Sequence, residues 1–174
     1  MKELKLIYTI GHSTHSEEEF LSLLHSFRID LLADVRSLPG SRRFPHFNKE
    51  VIEKSLKDHG ILYEHLPQLG GRRKVKKDST NTAWRNASFR GYADYMESEE
   101  YKKAITTLEG LAIKKRTAIM CAEAVWWRCH RSLIADDLKL RGWQVMHILG
   151  EEKSEVHPYT SPAKIIQGEL NYGL

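Results

Sequence analysis

The chain has 174 residues, the length of one domain with a full hydrophobic core, so we expect a single domain over residues 1–174. Its 41% hydrophobic and 29% charged residues exclude a disordered chain, and no apolar run approaches the roughly 18 residues that a membrane span needs. Residues 1–11 lack the cleavage pattern of a secretory signal, and two cysteines are too few for a disulfide framework. These features predict a cytoplasmic protein with reduced thiols and no membrane partner.

The positive charge is concentrated in one segment. The whole chain has a net charge of +4, but residues 67–91 hold seven basic side chains against the single acid Asp78, a local charge of +6. The rest of the chain therefore has a charge of about −2. Because a concentrated patch attracts polyanions, whereas a dispersed excess mainly affects solubility, this segment is a candidate binding surface.

Short β-type runs alternate with helical patterns along the chain. The runs cover residues 4–10, 31–35, 61–65, 117–121 and 144–149. Capping residues and apolar stripes predict helices that begin at Ser16, Asn48 and Ser98, and a fourth over roughly residues 128–141. Buried strands with helical connections predict an α/β fold, a three-layer sandwich with a mainly parallel sheet of about five strands.

Polar residues follow three of the predicted strands, at the edge where open parallel sheets bind ligands. They are His12 and Ser13 after the first strand, Asp34, Arg36, Ser41 and Arg42 after the second, and Cys121 and Glu123 after the fourth. His130 and Arg131 follow at the start of the fourth helix. If the fold is correct, these groups converge on one edge of the sheet.

These residue types suit anion binding and acid–base chemistry. Backbone N–H groups of the turn after the first strand, together with Ser13, can hold an oxyanion or phosphate. Arg36 and Arg42 can bind an anionic group while Asp34 acts as base or hydroxyl acceptor. The structural alternatives are a tight turn with a helix cap, and a local ion pair between Asp34 and a neighbour.

The segment from Cys121 to Arg131 places a thiol between a strand end and a helix N-terminus, where the helix field and nearby arginines favour the thiolate. Cysteine-dependent phosphatases and sulfur transferases use this placement, but Arg128 follows Cys121 after six intervening residues, one more than the phosphatase spacing. The two cysteines and His130 lack the paired short spacings of structural zinc sites, so we predict no metal. A buried structural Cys121 is the alternative, whereas a carboxylate such as Glu123 must be paired or used.

Residues 67–97 form a stretch too long for a simple connection, and basic and aromatic side chains interleave in it. Stacking faces beside cations suit single-stranded nucleic acid or a nucleotide, and such a loop can close over a site as a lid. The alternative is a solvated loop whose aromatic residues pack onto the helices. The predicted nucleic-acid contacts are Arg72, Arg73, Lys76, Trp84, Arg85 and Arg90.

A series of motifs resembles one protein family over about residues 5–150. The motifs are YTIGHS at 8–13, DVR at 34–36 with Pro39, Ser41 and Arg42, GI at 60–61 with Tyr63 and His65, LGG at 69–71, NASFRGY at 86–92, MCAE at 120–123 and CHR at 129–131. They resemble the domain-of-unknown-function 488 (DUF488) family. The resemblance implies a compact domain of unassigned activity. Trp126 departs from the proline expected of relatives, a change that can reshape the loop beside Cys121.

The first functional hypothesis is an enzyme that acts on a phosphate-bearing or nucleotide-like substrate at the carboxyl edge of the sheet. The predicted acid–base and assisting residues are Asp34, Cys121, Glu123 and His130. The predicted anion-binding residues are His12, Ser13, Arg36, Ser41, Arg42 and Arg131.

Two hypotheses from other classes stay open. One is a nucleic-acid-binding module that uses the basic and aromatic loop, and the other is thiol redox chemistry or sulfur transfer through Cys121 and Cys129. The expected partner is an anionic small molecule or a nucleic acid, and the sequence identifies neither a cofactor nor an oligomeric state. The tail, about residues 150–174, is expected to be a loop followed by a segment that packs back on the domain or supports a dimer contact.

Overall fold

A computed structural model describes residues 4–174. Residues 1–3, the start of the segment for which no secretory signal is predicted, lie outside the described residues. The elements in chain order are β1 Leu6–Gly11, α1 Glu17–Ser26, β2 Leu31–Asp34, α2 Lys49–Asp58, β3 Leu62–His65, α3 Ala87–Tyr95, α4 Glu99–Lys114, β4 Thr117–Cys121, α5 Arg131–Leu140, β5 Gln144–Gly150, β6 Lys153–Val156, β7 Lys164–Ile166 and β8 Glu169–Asn171. Short 3₁₀ turns lie at Pro45–Phe47, Pro67–Leu69 and Trp126–Arg128.

Six strands form one sheet in the order β3-β2-β4-β1-β5-β6. The first five strands are parallel, and β6 pairs antiparallel with β5. This arrangement confirms the predicted α/β fold with a mainly parallel sheet. The sixth strand comes from the segment expected to be an irregular tail, and β7 and β8 pair as a separate hairpin. Within residues 4–174, no helix has the length and apolar character needed to cross a bilayer.

Helices cover both faces of the sheet. Phe20 of α1 and Leu56 of α2 pack with Ile10 and Met120 on one face. The other face packs α3, α4 and α5 against the side chains of alternate strand residues, among them Ile7 and Ile119. The two separate hydrophobic clusters, one on each side of the strands, are what a three-layer sandwich requires.

The predicted helix starts agree with the structure except at α5. Ser16 caps α1 in a full capping box, and Ser98 caps α4 by accepting from the backbone N–H of Tyr101. Asn48 precedes α2, but its side chain accepts from the backbone N–H of Ser41 at 2.7 Å instead of capping the helix. Helix α5 begins at Arg131 rather than near residue 128, because the three residues Trp126–Arg128 form their own 3₁₀ turn.

The stretch predicted as a long basic loop contains a helix. Asn86 caps α3 by accepting from two backbone N–H groups, and Tyr92 and Ala93 of that helix are buried. The buried carboxylate of Asp94 accepts hydrogen bonds from Ser79, Asn81 and the backbone N–H of Lys76. The stretch is therefore folded onto α3, and its length is explained by this extra element.

A buried polar chain holds the C-terminal segment against α5. Asp136 accepts from His157 Nε2 at 2.8 Å, from the backbone N–H and hydroxyl of Thr160, and from the hydroxyl of Tyr172. His157 Nδ1 in turn lies within hydrogen-bond distance of His147 Nε2, at 2.8 Å. Asp136 and both histidines are almost fully buried, so each of these polar groups depends on its partner within the chain. The tail thus packs back on the domain, which is one of the two arrangements expected from the sequence.

We predict that Asp136→Asn lowers the melting temperature by roughly 5–15 °C, because an amide NH₂ replaces an acceptor oxygen and leaves buried donors unpaired. Thermal unfolding followed by circular dichroism measures the change. Tyr172→Phe, which removes a single donor, should cost less than Asp136→Asn, and the exposed Asp58→Asn should leave the melting temperature unchanged. An Asp136→Asn protein that melts with the wild type would show that this chain does not hold the tail.

Candidate functional site

The connections of the sheet reverse direction at β4. The neighbours β1 and β2 lead into α1 and α2 on one face, whereas β4 between them leads into α5 on the opposite face. Ligands of open α/β sheets bind at such a switch point, outside the carboxyl ends of the strands. The sequence-predicted residues lie around this end of β4.

The sheet separates these residues into two groups. Successive strand residues point to opposite faces, so Met120 packs with α1 and α2 while Cys121 packs with α5. His12 stacks on Phe47, which belongs to the α1 and α2 side. The predicted single convergence at one edge therefore resolves into one group beside His12 and another beside Cys121.

Asp34 and Arg36 form an ion pair on the His12 side. Strand β2 ends at Asp34, so the chain turns and Arg36 reaches back to donate from Nε at 2.9 Å and from Nη2 at 2.8 Å to the two carboxylate oxygens. Tyr63 donates to the same carboxylate at 2.6 Å. The side chain of Asp34 is fully buried and that of Arg36 is 10% exposed. The local ion pair that the sequence left as an alternative is thus present, and Asp34 is fully engaged in it.

The guanidinium of Arg36 is held from two sides. Its Nη2 also donates to the carbonyl of Phe47 at 2.8 Å, which ties β2 to the 3₁₀ turn before α2. Its Nη1 has no hydrogen-bond partner in residues 4–174 and is not among the buried unpaired atoms of that part of the chain. Arg36 therefore combines a fixed orientation with one free donor.

His12 is a neutral imidazole with a defined tautomer. Burial lowers the pKa of His12 from 6.5 to about 4. Its Nδ1 lies 2.9 Å from the carbonyl oxygen of Ser13, and since a carbonyl only accepts, Nδ1 holds the proton. The ring stacks on Phe47 with 4.3 Å between centroids. Nε2 is left as an unprotonated acceptor, the form that a general base requires.

The backbone donors expected to hold an oxyanion are occupied. The N–H of His12 donates to Cys121 and the N–H of Ser13 to Ala122, both at 2.9 Å, which extends the pairing of β1 with β4. Ser13 has a φ of 47°, in the left-handed region, where the chain turns toward α1. Three glutamates fill the first turn of α1, which disfavours an anion there. The turn can contribute its Ser13 hydroxyl but not the N–H groups of His12 and Ser13.

The segment between β2 and α2 forms a wall beside His12. The Ser41 hydroxyl accepts from the backbone N–H groups of Arg43 and Phe44, so Ser41 shapes the segment. Arg42 is exposed. His46 Nε2 lies 2.8 Å from the carbonyl oxygen of His15, and its ring is 4.3 Å from that of Phe47, so this histidine is tied to the turn before α1.

On the opposite side, Arg131 reaches from α5 into the loop after β4. Its Nη1 donates to the carbonyl of Glu123 at 3.0 Å and to Cys121 Sγ at 3.1 Å, and Nη2 donates to the carbonyl of Ala124 at 3.2 Å. The residue is 1% exposed, and its Nε is buried without a partner. Arg131 therefore holds the loop, which differs from the direct contact with a substrate anion expected from sequence.

Cys121 and Cys129 are buried free thiols that both contact Arg131. Burial raises the pKa of Cys121, but the neighbouring Cys129 thiol and the charge of Arg131 outweigh burial and lower this pKa below its ordinary value. Burial and the neighbouring Cys121 raise the pKa of Cys129 well above its ordinary value. One thiol of the pair is thus the stronger acid, and the other keeps its proton.

His130 fixes the start of α5 to β2. Its Nε2 donates to the carbonyl of Val35 at 2.9 Å, and burial lowers the pKa of His130 to about 4. The remaining nitrogen, Nδ1, lies 3.6 Å from Cys129 Sγ. Glu123, by contrast, is exposed, and its carboxylate has no ion pair in the described chain. A solvated carboxylate needs no partner, so Glu123 need not be paired or used, contrary to the expectation from sequence.

Trp126, found where relatives are expected to have proline, anchors the same loop. Its ring stacks on His147 with 4.5 Å between centroids and an interplanar angle of 6°, and its Nε1 donates to Glu155 of β6 at 2.5 Å. Trp127 beside it is 53% exposed. The loop is therefore fastened to β5 and β6 on one side and to Arg131 on the other.

The predicted nucleic-acid contacts differ in exposure. Trp84 is 8% exposed and packs against Phe89 and Tyr172, so its faces are not available for stacking. Arg73 lies over the ring of Tyr95 at 3.7 Å. Arg90 donates to the carbonyl of Trp84. The basic residues of the segment whose side chains are exposed are Arg72, Lys74, Lys76, Lys77 and Arg85.

The roles of several residues in the sites and in the fold were not predicted from the sequence. Phe47, which supports His12 and Arg36, lies outside every predicted strand and helix, and one aromatic residue there gives no periodic signal. Tyr63 appears in the family motif, and that motif was the available signal for its bond to Asp34. Asp136 looked like an ordinary polar residue of an amphipathic helix. Within residues 4–174, no three or more His, Cys, Asp or Glu side chains form a group that could hold a metal ion.

Three buried histidines predict a loss of stability in acid. Burial lowers the pKa of His12 and of His130 to about 4, and that of His147 to about 2. In the unfolded chain these imidazoles bind protons below about pH 6.5, whereas the folded state does not, so the unfolded state gains protons as pH falls. Stability is therefore complete above about pH 6.5 and decreases toward pH 4, by at most about 4 kcal/mol per pH unit for three protons.

Thermal unfolding between pH 7.5 and pH 4.5 checks this expectation. His130→Gln, whose amide can keep the bond to Val35, should reduce the slope by the contribution of one proton, whereas exposed His25→Gln should not change it. A melting temperature that is constant over this range contradicts the prediction.

The comparisons with known proteins identify the family. The sequence model of the family described as domain of unknown function DUF488 matches residues 16–138, more than two thirds of the chain. The match is narrower than the expected resemblance over residues 5–150, and the motif at residues 8–13 lies outside it. The comparisons with curated proteins and with solved structures found no match. The matched region runs from the cap of α1 into α5 and includes Asp34, Arg36, Cys121 and Arg131, and the chain belongs to the DUF488 family.

Proposed function

We propose that the protein is an enzyme that acts on a phosphate-bearing or nucleotide-like substrate at the carboxyl edge of the sheet, on the side of α1 and α2. The observation that supports this proposal best is that a neutral His12 and an oriented Arg36 both contact Phe47. Phe47 joins the two residues, because its ring stacks on His12 and its carbonyl accepts from Arg36. Phe47 thus supports both the candidate base, His12, and the candidate anion-binding residue, Arg36.

Arg36 is suited to bind the anionic group of the substrate. The carboxylate of Asp34 and the carbonyl of Phe47 fix its guanidinium, and Nη1 is left to donate to a phosphate oxygen. Because the orientation exists before the ligand arrives, little side-chain entropy is lost on binding. The exposed Arg42 and the hydroxyl of Ser13 can add to the same anion site.

His12 is suited to act as general base. Nδ1 is committed to the carbonyl of Ser13, so Nε2 can take the proton from a water or hydroxyl that attacks the substrate. A lowered pKa keeps the imidazole neutral throughout the physiological range. In this proposal Asp34 orients Arg36, Tyr63 donates to Asp34, and Arg131 acts only through the loop that it holds.

We predict that His12→Asn abolishes turnover but retains ligand binding. The asparagine amide can keep the bond to the Ser13 carbonyl while the basic nitrogen is lost, so turnover should fall by about 10²- to 10⁴-fold. Conversion of nucleotides and sugar phosphates, followed by ³¹P NMR, measures turnover. Thermal shift with inorganic phosphate and with the same compounds measures binding, because a ligand of the native state raises the melting temperature.

His46→Gln is the matched control, since His46 also lies against Phe47 but its Nε2 is tied to His15. It should retain turnover. Arg36→Lys should lose the ligand-induced thermal shift, measured against its own ligand-free melting temperature because the pair with buried Asp34 also changes. The proposal fails if no phosphate compound shifts the wild type, or if the His46 variant loses as much turnover as the His12 variant.

Binding of a nucleic-acid backbone is a second candidate function, favoured by one observation. Five exposed basic side chains of residues 72–85 form no ion pair with a carboxylate within residues 4–174. An open cleft of about 390 Å³, lined by Arg72, Arg73, Gln68 and Ser37 among others, lies beside this segment. Because Trp84 is buried, this candidate rests on phosphate contacts rather than on stacking of bases.

We predict that the affinity for a single-stranded oligonucleotide falls steeply with salt, because bound phosphates release counterions. Replacing Arg72, Lys74 and Lys76 together with glutamine should reduce the slope of log K against log salt by about 2, at about 0.7 for each lost contact. The control is the same substitution at Lys103, Lys114 and Lys115, which removes equal charge from exposed positions elsewhere. Equal effects of the two triple variants would show a nonspecific charge effect and exclude this surface.

A further inference from the structure

The group on the α5 side is not used by the proposed function and has an unusual charge balance. The guanidinium of Arg131 is positively charged and 1% exposed, yet it has no ion pair with a carboxylate in residues 4–174. A buried charge without a counter-ion is costly. Its partners are two loop carbonyls and Cys121 Sγ, so this sulfur is the contacting group that can become an anion.

Cys129 completes a pair of thiols around this arginine. The backbone N–H of Arg131 donates to Cys129 Sγ at 3.5 Å while its side chain donates to Cys121 Sγ at 3.1 Å. One residue thus contacts both sulfurs, one at the end of β4 and the other just before the start of α5.

We propose that Cys121 and Cys129 form a peroxide-sensitive thiol pair, in which the Cys121 thiolate, paired with Arg131, reacts with a small hydroperoxide and Cys129 then closes a disulfide. The opposed pKa shifts of the two thiols support these roles, because the thiolate is the nucleophile and the other thiol keeps its proton until the second step.

The chemistry balances with one molecule of hydrogen peroxide. The Cys121 thiolate attacks one peroxide oxygen, the O–O bond breaks, and the departing hydroxide takes a proton to become water, which leaves a sulfenic acid. The sulfur of Cys129 then attacks the sulfenic sulfur, the S–O bond breaks, and the hydroxide released takes the Cys129 proton. The two thiols lose two electrons in total, and the peroxide is reduced to two waters.

The loop that covers the two sulfurs should admit small reagents and exclude large ones. Cys121 is 2% exposed and Cys129 is 5% exposed, whereas Ala122, Glu123 and Ala124 above them are exposed and belong to no helix or strand. A peroxide is small enough to enter with a slight displacement of this loop. A bulky alkylating reagent is not, so the pair should react with hydrogen peroxide faster than with a large maleimide.

The test is intact-protein mass spectrometry of the native protein after treatment with hydrogen peroxide. The expected product has lost two hydrogens, has no thiol that alkylates after unfolding, and recovers both thiols with dithiothreitol. Cys129→Ser should stop at a sulfenic acid on Cys121, which dimedone traps when the protein is unfolded in its presence, and Cys121→Ser should leave Cys129 as a thiol. The proposal is overturned if both thiols survive in the native wild type, or if Cys129 oxidises equally well without Cys121.

The role of Arg131 is tested by Arg131→Gln, which should slow the oxidation of Cys121 at least about tenfold. Because this variant removes a buried anchor and can fail to fold, a second measurement uses the wild type alone. The rate at which methyl methanethiosulfonate, a small thiol reagent, modifies Cys121 is followed against pH. A midpoint below about 8.5, the ordinary pKa of a cysteine thiol, is expected, and a midpoint at or above that value overturns the assignment of the thiolate.

Discussion

The carboxyl edge of the sheet depends on the hydrogen bonds that the buried guanidinium of Arg131 donates to the loop after β4. This guanidinium crosses the end of β1 to reach the loop after β4, and the absence of a side chain at Gly11 makes that approach possible. A Cβ at Gly11 would lie 1.7 Å from the carbonyl oxygen of Glu123 and 2.8 Å from Arg131 Nη1. Any other residue at this position would displace the loop, the arginine or both. The glycine of the first motif is therefore explained by packing rather than by a tight turn.

The sheet itself keeps two kinds of chemistry apart at this edge. Asp34 and His12 lie on the side of α1 and α2, whereas Cys121 and Arg131 lie on the side of α5. The separation follows from the alternation of strand side chains, together with connections that leave β1 and β2 on one face of the sheet and β4 on the other. A proton-transfer site and a thiol pair can therefore occupy the same strand ends without a shared residue. Failure of one proposal leaves the other intact.

The sequence was sufficient to predict the fold and the strand ends, because the buried strands are short apolar runs and the caps Ser16 and Ser98 are local signals. The roles at those ends were not predictable, since each depends on where an element stops. Strand β2 ends at Asp34, which lets Arg36 turn back and pair with it. Helix α5 starts at Arg131, which directs that side chain under the loop instead of toward a ligand. A shift of one or two residues in either boundary would reverse these orientations.

Long-range polar contacts were beyond local patterns for a different reason. The donors to Asp136 lie 21, 24 and 36 residues further along the chain, so no window of sequence shows that this carboxylate is buried and satisfied. Asp136 lies in the same helix as Arg131, and the C-terminal segment that it binds packs against that helix. The position of α5 relative to the sheet, and with it the reach of Arg131 into the loop, therefore depends in part on residues 157–172. The tail is remote from the site in sequence but belongs to the structure that forms it.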